Sequence, residues 1–299
     1  MGVTMKDIKE LRSRTGAGVL DCKKALNKVD GDIEAAVEHL REKGMAAAAK
    51  KAGRIAAEGL VSLNITDDRK KGVLVEVNSE TDFVAKNDNF KALVSDISEH
   101  LMQTDAEEVE AVEKENWFKD ESETVNDVIK AAIANIGENI NLRRFKKIET
   151  DGYLFGYIHL GGKIGVLVEF ASEFGSEKEK TAKDIAMHIA AINPDFLDRD
   201  SVDSESIAKE KKIYREQMLN EGKPEHILDQ IIEGKINKYY TQVCLLEQPF
   251  VRDDEQTVAE ILAENDMEIK QFTRFEIGEG IEKKEEDFAA EVAAMTKNQ

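Results

Sequence analysis

The sequence predicts an α+β protein, and three observations carry that prediction. Residues 4–44 hold three short amphipathic patterns with helical spacing. The pentapeptide Gly72–Glu76 recurs unchanged at Gly165–Glu169, each time within a strand-like segment. Two long helical patterns meet at Gly222-Lys223-Pro224, which favours a reversal of the chain. Together these features indicate an N-terminal three-helix module, a duplicated core of antiparallel hairpins and helices, and an inserted helical hairpin.

The N-terminal segment is predicted to form three helices because apolar residues recur every three or four positions. Asp30-Gly31 separates the second helix from the third, and Gly44 is expected to be the C-cap of the third. This pattern resembles a ubiquitin-associated-type three-helix module, and the alanine-rich segment Met45–Ala57 is expected to be a helical or semi-flexible linker. The three predicted apolar faces are Met5, Ile8 and Leu11; Val19, Cys22, Leu26 and Val29; and Ile33, Val37 and Leu40.

Each half of the predicted core begins with two strands and continues into a helix. Gly59–Ile65 and Gly72–Val77 are the strands of the first half, and Asn78-Ser79-Glu80 is the turn after them. Tyr153–Leu160 and Ile164–Phe170 are the strands of the second half. The helices that follow carry Phe90, Leu93, Val94, Ile97 and Leu101 in the first half, and Ile185, Met187, His188 and Ile189 in the second.

Further elements complete the two halves. Apolar spacing predicts a helix over residues 125–136, a helical hairpin at about residues 202–240 and a short helix at residues 258–262. Ile140–Ile148 and Glu268–Ile277 are predicted strands. We therefore expect four parts: the module and linker at 1–54, the first half of the core at 55–148, the second half with the helical hairpin at 149–280, and a C-terminal helix at 281–299.

Charge and composition limit the classes of partner. The 299-residue chain has a net charge of −19, yet residues 1–54 hold 12 Lys/Arg and 8 Asp/Glu. The acidic remainder argues against direct nucleic-acid binding, which depends on neutralising phosphates. No run of about 18 apolar residues occurs, so we expect no membrane span. A helical pattern from Thr4 onward argues against a signal peptide, and two distant cysteines fit a reducing, cytoplasmic location.

A carboxylate and a large apolar ring stand side by side at Asp82 and Phe83, directly after the first hairpin. One interpretation is structural: Asp82 caps a helical turn and Phe83 tucks into the core. The other is a presented wedge, in which Phe83 enters a pocket of a partner together with a negative charge. The second hairpin continues into Phe174-Gly175 and lacks the Asp-Phe pair, so the scaffold alone does not require that pair.

The motifs of common catalytic sites are missing from the sequence. There is no phosphate-binding glycine loop, no dinucleotide-binding fingerprint and no nucleophile elbow. Its five histidines are scattered, and no paired cysteines or His-x-x-x-His motif offers a metal site. We therefore expect no catalytic residue, no metal and no cofactor. A metal-dependent hydrolase that uses Glu80 and Asp82 stays open as an alternative, and turnover without any partner would reveal it.

Several stretches resemble the elongation factor Ts family, in order and over nearly the whole chain. Leu11–Leu26 is similar to the first signature of that family, and Glu76–Lys86 is similar to the second. Ile136–Ile140, Ala186–Ala191 and Phe275–Glu282 also resemble the family. The two signatures together are highly specific.

The resemblance implies a guanine nucleotide exchange factor for the translational GTPase elongation factor Tu, bound in its GDP-bound and nucleotide-free states. In that family the N-terminal module docks on the GTPase domain, and the C-terminal helix also reaches that domain. The second half of the core contacts a β-barrel domain. Thr81, Asp82, Phe83 and Val84 match the segment that enters near the bound magnesium, and Lys23, Ile136, Gly137 and His159 match further contact positions.

A second class of protein stays open beside this one. It is a ubiquitin-associated-like adaptor that binds a peptide or helix through residues 4–44 and has no exchange role. The rate of GDP release from the partner GTPase separates the two, because an adaptor leaves that rate unchanged.

Overall fold

The computed structural model describes residues 3–282 and confirms a mixed α+β protein, with three helices first and antiparallel sheets and helices after them. The C-terminal helix predicted for residues 281–299 lies almost wholly outside the described residues. The α-helices are α1 (Met5–Thr15), α2 (Val19–Lys28), α3 (Ile33–Lys51), α4 (Asp82–Ala85), α5 (Asp88–Leu101), α6 (Val109–Val112), α7 (Val125–Ile136), α8 (Ser176–Ile192), α9 (Ser204–Asn220), α10 (Glu225–Val243) and α11 (Val258–Glu264).

Two three-stranded sheets have the orders β1-β2-β5 and β6-β7-β10, so the second strand of each hairpin is central. In the second sheet, β6 and β7 are antiparallel from Tyr153 opposite Phe170 to His159 opposite Ile164. The strands are β1 (Glu58–Ile65), β2 (Lys71–Ser79), β3 (Asn116–Trp117), β4 (Asp120–Thr124), β5 (Ile140–Glu149), β6 (Tyr153–His159), β7 (Ile164–Phe170), β8 (Pro249–Phe250), β9 (Asp253–Thr257) and β10 (Ile269–Glu276).

The described chain divides into two compact units. The first unit takes residues 3–62, 75–145 and 276–282, and the second takes residues 63–74 and 146–275. The division of the chain into four parts stays a prediction. None of the described helices has the length and apolar character needed to cross a membrane.

The three N-terminal helices follow the predicted apolar spacing. Thr4 and Asp7 form a capping box at the start of α1, and Gly16 ends that helix with a φ of 65°. Met5 and Val19 were predicted to face the core, but they are 64% and 44% exposed because each is the first residue of its helix. The buried residues of this small core are Ile8, Leu11, Ala17, Cys22, Ala25, Leu26 and Ala36.

The predicted end of the third helix at Gly44 is wrong, because α3 runs on to Lys51. The alanine-rich stretch after Gly44 has high helix propensity, so the helix passes through the glycine. Gly44 is buried, and a Cβ added there would lie 3.6 Å from the Cβ of Ala134 in α7. At that distance a Cβ would make an ordinary van der Waals contact, so Gly44 lies where α3 packs against α7, and Arg41 of α3 also pairs with Asp127 of α7.

The predicted turn at Asn78-Ser79-Glu80 begins later than expected, because β2 continues to Ser79. Asn78 and Ser79 are buried polar residues rather than solvent-facing ones. The Asn78 amide donates to the backbone oxygen of Glu58 at 3.2 Å and to Glu76 Oε1 at 3.1 Å. These bonds offset the cost of burying the NH2 group of Asn78, and the strand extends two residues beyond the predicted end at Val77.

The second unit contains the predicted helical hairpin, α9 and α10, which reverses at Gly222 with a φ of 77°. Its own small core is formed by Met218, Leu228, Ile232 and Ile236.

Two very short hairpins, β3–β4 in the first unit and β8–β9 in the second, were not predicted. Each leads into a helix whose first turn is closed by a capping box, at Thr124 and at Thr257.

Candidate functional site

The stretch from Thr81 to Ala85 leaves β2 as a capped single helical turn. Thr81 is the N-cap of α4, and its hydroxyl accepts a hydrogen bond from the backbone N–H of Val84 at 3.4 Å. Asp82 is therefore the first helical residue and not the cap that one interpretation expected. Val84 and Ala85 are buried and hold the turn against the first unit.

Phe83 is 80% exposed, so the interpretation that places its ring in the core is wrong. The N-cap Thr81 precedes Phe83 by two residues, and the buried Val84 and Ala85 follow it. These anchors on both sides fix the backbone of Phe83. Asp82 Oδ2 lies 2.6 Å from Lys86 Nζ, and that ammonium is 6.0 Å from the centre of the Phe83 ring. The ring is thus an exposed aromatic on an anchored backbone, and aromatic side chains are common among the residues that dominate interfaces.

A reciprocal pair of carboxylates joins this turn to the end of α7. Glu138 accepts two hydrogen bonds from Thr81: Oε2 from the backbone N–H at 3.0 Å and Oε1 from the hydroxyl at 2.6 Å. Glu80 Oε1 accepts from the backbone N–H of Asn139 at 2.6 Å. The side chain of Asn139 donates to the backbone oxygen of Arg54 at 2.8 Å, which ties the end of α3 to the same place.

Ile136 and Gly137 are brought beside the capped turn by this pairing. Ile136 is the last residue of α7 and is half-buried, whereas Gly137 is exposed. Gly137 ends the helix with a φ of 92°, a conformation that residues with a side chain rarely adopt. Two predicted contact stretches that are distant in the sequence therefore lie in one surface region of the first unit.

Glu76 anchors the strand that leads into the turn. Its carboxylate is fully buried and accepts from Arg143 Nη1 at 2.8 Å and from Arg144 Nε at 2.5 Å. The backbone N–H of Gly278 also donates to Glu76 Oε1 at 2.9 Å. Sequence reasoning missed this role, although a carboxylate within an apolar strand and paired arginines in another strand were the signals for it.

Lys23 lies exposed on α2 in the first unit. Leu20, one helical turn earlier, shares that face and is 70% exposed. The sequence analysis did not single out Leu20, and its position next to the apolar face gave little signal. A lysine beside an exposed apolar side chain can contribute both charge and buried area to an interface.

His159 belongs to the second unit, at the end of β6. The ring is half-buried, and Nδ1 lies 2.8 Å from the hydroxyl of Tyr157. The next residue, Leu160, is 65% exposed and has a φ of 48° in the tip of the hairpin. The exposed apolar side chains at this tip were not predicted.

Comparison of the sequence with known proteins identifies the family. The family model described as elongation factor TS matches residues 80–279. The elongation factor Ts of Halothermothrix orenii is 70% identical over 98% of both chains. That of Clostridium tetani is 53% identical over 97% of this chain and 98% of its own.

The chain belongs to the elongation factor Ts family.

Elongation factor Ts proteins are nucleotide exchange factors and not catalytic enzymes. The two carboxylates beside Phe83 already have partners within the chain. Glu80 accepts from a backbone amide and lies 3.5 Å from Arg54, and Asp82 pairs with Lys86, so both are already engaged. Within residues 3–282, His, Cys, Asp and Glu side chains form no group of three or more suited to a metal ion. Burial raises the pKa of Cys244 to about 11, so that thiol is a poor nucleophile.

Proposed function

We propose that this chain binds elongation factor Tu and promotes GDP release by inserting Phe83 near the magnesium and nucleotide site of that GTPase. Nucleotide exchange during polypeptide elongation is the function of the elongation factor Ts family, to which the chain belongs. The observation that carries the proposal is an 80% exposed aromatic ring on a capped and anchored turn. Thr81, Asp82, Phe83 and Val84 form the inserting segment, in which Phe83 is the exposed side chain and Val84 is the buried anchor.

The insertion works through packing. GDP is held largely through contacts to its phosphates and to Mg²⁺. Packed cores do not deform continuously, so a ring driven between the elements of the GTPase shifts them to a second arrangement. If that arrangement displaces groups of the magnesium shell, the affinity for GDP falls. Asp82 is paired with Lys86 beside the ring, so we assign it to orienting the turn rather than to repelling the phosphates.

One ring is not enough to account for the whole effect. Exchange is a reciprocal coupling, in which the factor weakens GDP binding as much as GDP weakens binding of the factor. A weakening of about 10⁴-fold requires about 5.5 kcal/mol of differential binding, whereas full burial of a Phe side chain contributes about 1.5–3 kcal/mol. We therefore propose further contacts at Lys23, Ile136, Gly137 and His159.

The parts of the fold have separate tasks in this proposal. The ubiquitin-associated-like module within residues 1–54 docks on the GTPase domain through its basic surface. The first half of the duplicated core presents the Phe83 turn, and the second half, with the inserted helical hairpin, holds the partner at another place. The C-terminal segment, residues 281–299, adds a further contact. The protein acts in the cytoplasm, as translation factors of this family do.

The test is release of a fluorescent GDP analogue from elongation factor Tu, measured over a series of concentrations of this chain. We expect a release rate that rises with concentration and reaches a plateau. A rate equal to that of elongation factor Tu alone would leave the adaptor as the better description. As a control, calorimetry of the isolated chain with GDP should detect no stoichiometric binding, and incubation with GTP should yield no phosphate.

A further inference from the structure

Glu138 links two segments of the first unit that the sequence separates. It follows Gly137 directly, beyond the end of α7, and its carboxylate binds Thr81, which begins α4. We propose that Glu138 is a positioning residue for nucleotide exchange, which orients Phe83 through Thr81. This inference rests on the proposed function, because it assigns Glu138 a role in presenting the inserting ring.

The geometry shows how Glu138 acts on the ring without touching it. Both carboxylate oxygens are engaged by Thr81, one by its backbone N–H at 3.0 Å and the other by its hydroxyl at 2.6 Å. Because the hydroxyl donates to Glu138, its lone pairs are left for the N–H of Val84, the bond that caps α4. Glu138 therefore sets both the backbone and the rotamer of the capping residue, and Phe83 lies two residues further on.

The link runs in the opposite direction as well. Glu80 Oε1 accepts from the backbone N–H of Asn139 at 2.6 Å. Glu80 directly precedes Thr81, which Glu138 binds, and Glu138 directly precedes Asn139, which Glu80 binds. The reciprocal pattern is that of a capping box, but it joins two distant segments. Charge-assisted hydrogen bonds of this kind are roughly twice as strong as neutral ones. The Phe83 turn and the end of α7 are consequently held as one rigid surface.

Starting a helix after a hairpin does not require such a clamp. In the second unit, α8 follows β7 and begins at Gly175 without any side-chain cap. The clamp at Thr81 is therefore an addition to the scaffold at the place where an aromatic ring is exposed. A rigid backbone lowers the entropy that is lost when a partner immobilises the ring, so the benefit appears on binding and exchange.

The test uses Glu138→Ala and Glu138→Gln in the GDP-release assay with elongation factor Tu. For Glu138→Ala we expect the plateau rate to fall about fivefold, within the range by which a residue that acts through others changes coupling. The concentration at half-saturation should change less than the plateau, because other contacts still hold the partner. Glu138→Gln should restore most of the plateau, because the amide can accept from the N–H of Thr81 and donate to its hydroxyl oxygen.

Glu260→Ala is the matched control. Glu260 also accepts from the backbone N–H and the hydroxyl of a threonine, Thr257, at 2.7 and 2.9 Å, but it does so in α11 of the second unit. It should leave the plateau unchanged. Should Glu138→Ala fail to fold, the pair Thr81→Ser and Thr81→Val tests the same bond, since serine keeps the hydroxyl and valine removes it. We expect valine to lower the plateau more than serine does, and equal plateaus for the two would overturn the role of this bond.

A double variant separates this inference from the proposed function. If Glu138 acts by orienting Phe83, then Glu138→Ala should cause no further loss in a Phe83→Ala background. A plateau for Glu138→Ala equal to that of the wild type, or a full additional loss in the double variant, would overturn the positioning role. An unchanged plateau for Phe83→Ala alone would instead overturn the proposed function.

Discussion

The second strands of the two long hairpins contain the same five residues, but the aromatic rings that follow these strands differ in exposure. After β2 the chain makes a capped turn on which Phe83 is 80% exposed. After β7 it places Phe174 partly buried, with its ring centre 5.1 Å from that of Phe170 and 4.3 Å from that of Tyr153. A hairpin followed by a helix can therefore pack a nearby ring into its own core.

Exposure of Phe83 is thus a property of this one turn and not of the scaffold. Leaving a large ring in water forgoes the stabilisation that burial provides. Aromatic side chains are enriched among the residues that dominate interfaces, so an exposed ring on a fixed turn is available for burial by a partner. The contrast supports the proposal that the first hairpin presents its ring to a partner, whereas the end of the second packs a ring against its own core.

The glutamates that end the shared pentapeptide also differ, in the charge of the groups that bind them. Glu76 is fully buried between Arg143 and Arg144, and it also binds the backbone of Gly278. Glu169 accepts from Thr150 and Gln271, both at 2.6 Å, and lies 3.6 Å from Lys270. The first hairpin is therefore held by a network of full charges, and the second chiefly by neutral donors.

The largest expected effect in this comparison is on stability. Glu76→Ala should destabilise β2 by about 3 kcal/mol, because it leaves two arginines without their buried partner. Glu169→Ala should cost less, about 1.5–2 kcal/mol, because its two hydrogen bonds are assisted by the charge of the carboxylate alone and not by charged donors. Amide hydrogen exchange of peptides that cover β2 and β7 measures both effects as local opening free energies.

Trp117, the single tryptophan of the chain, supplies an independent signal because it is buried in the first unit. Urea unfolding followed by its fluorescence should shift to lower urea in Glu76→Ala. Equal losses of opening free energy in the two alanine variants would mean that the charged network contributes no more than the neutral donors. The two hairpins would then differ only in the exposure of their aromatic rings.

Much of this arrangement follows from local sequence patterns. Alternating apolar residues and an exact repeat predicted the strands that contain Gly72–Glu76 and Gly165–Glu169, and the structure confirms both. Apolar periodicity likewise predicted α5, α7 and the hairpin of α9 and α10. These signals are strong because each reports burial of one face over many residues.

The errors arose where contacts between distant segments override local signals. Gly44 is a typical helix end in isolation, but it is buried against α7, and no local pattern reports that neighbour. The pair Asp82-Phe83 left two interpretations open, because the sequence does not show which segments pack near the Phe83 ring and therefore whether that ring is exposed. The partnership of Glu138 with Thr81 joins residues 57 positions apart, although both were inside stretches that the sequence analysis quoted.

The next effect separates the two rings. Phe83→Ala should lower the plateau rate of GDP release by tenfold or more, about 1.4 kcal/mol of coupling, with little change in stability because the ring is already exposed. Phe174→Ala should do the reverse. It should destabilise the second unit by about 2 kcal/mol, less than the 3–5 kcal/mol of a fully buried ring, and leave exchange per folded molecule intact.

Thermal unfolding and GDP release should be measured on the same preparations of both variants. The predicted difference between the two rings would be wrong if Phe83→Ala strongly lowered the melting temperature while each folded molecule still promoted GDP release at the wild-type rate. Phe83 would then have a structural role in solution despite its exposure.

The smallest effect concerns pH and the Glu169 carboxylate. Burial alone would raise the pKa of Glu169, but hydrogen bonds from Thr150 and Gln271, together with Lys270, outweigh it and lower that pKa below the ordinary value of 4.5. The folded state therefore binds this proton less readily than the unfolded state. The resulting stability is present above the unfolded pKa and is lost as the pH falls through the folded one.

Glu169→Gln removes the titration while keeping the shape of the side chain. The difference in opening free energy of β7 between wild type and this variant should be about 1 kcal/mol at pH 6–7. It should shrink as the pH falls below 4.5, because the protonated carboxyl then resembles the amide. Hydrogen exchange of the β7 peptide, corrected for intrinsic rates at each pH, provides the measurement. A difference that stays constant down to pH values below the folded pKa would show that the charge of Glu169 contributes nothing, and that the second hairpin depends on the geometry of its donors alone.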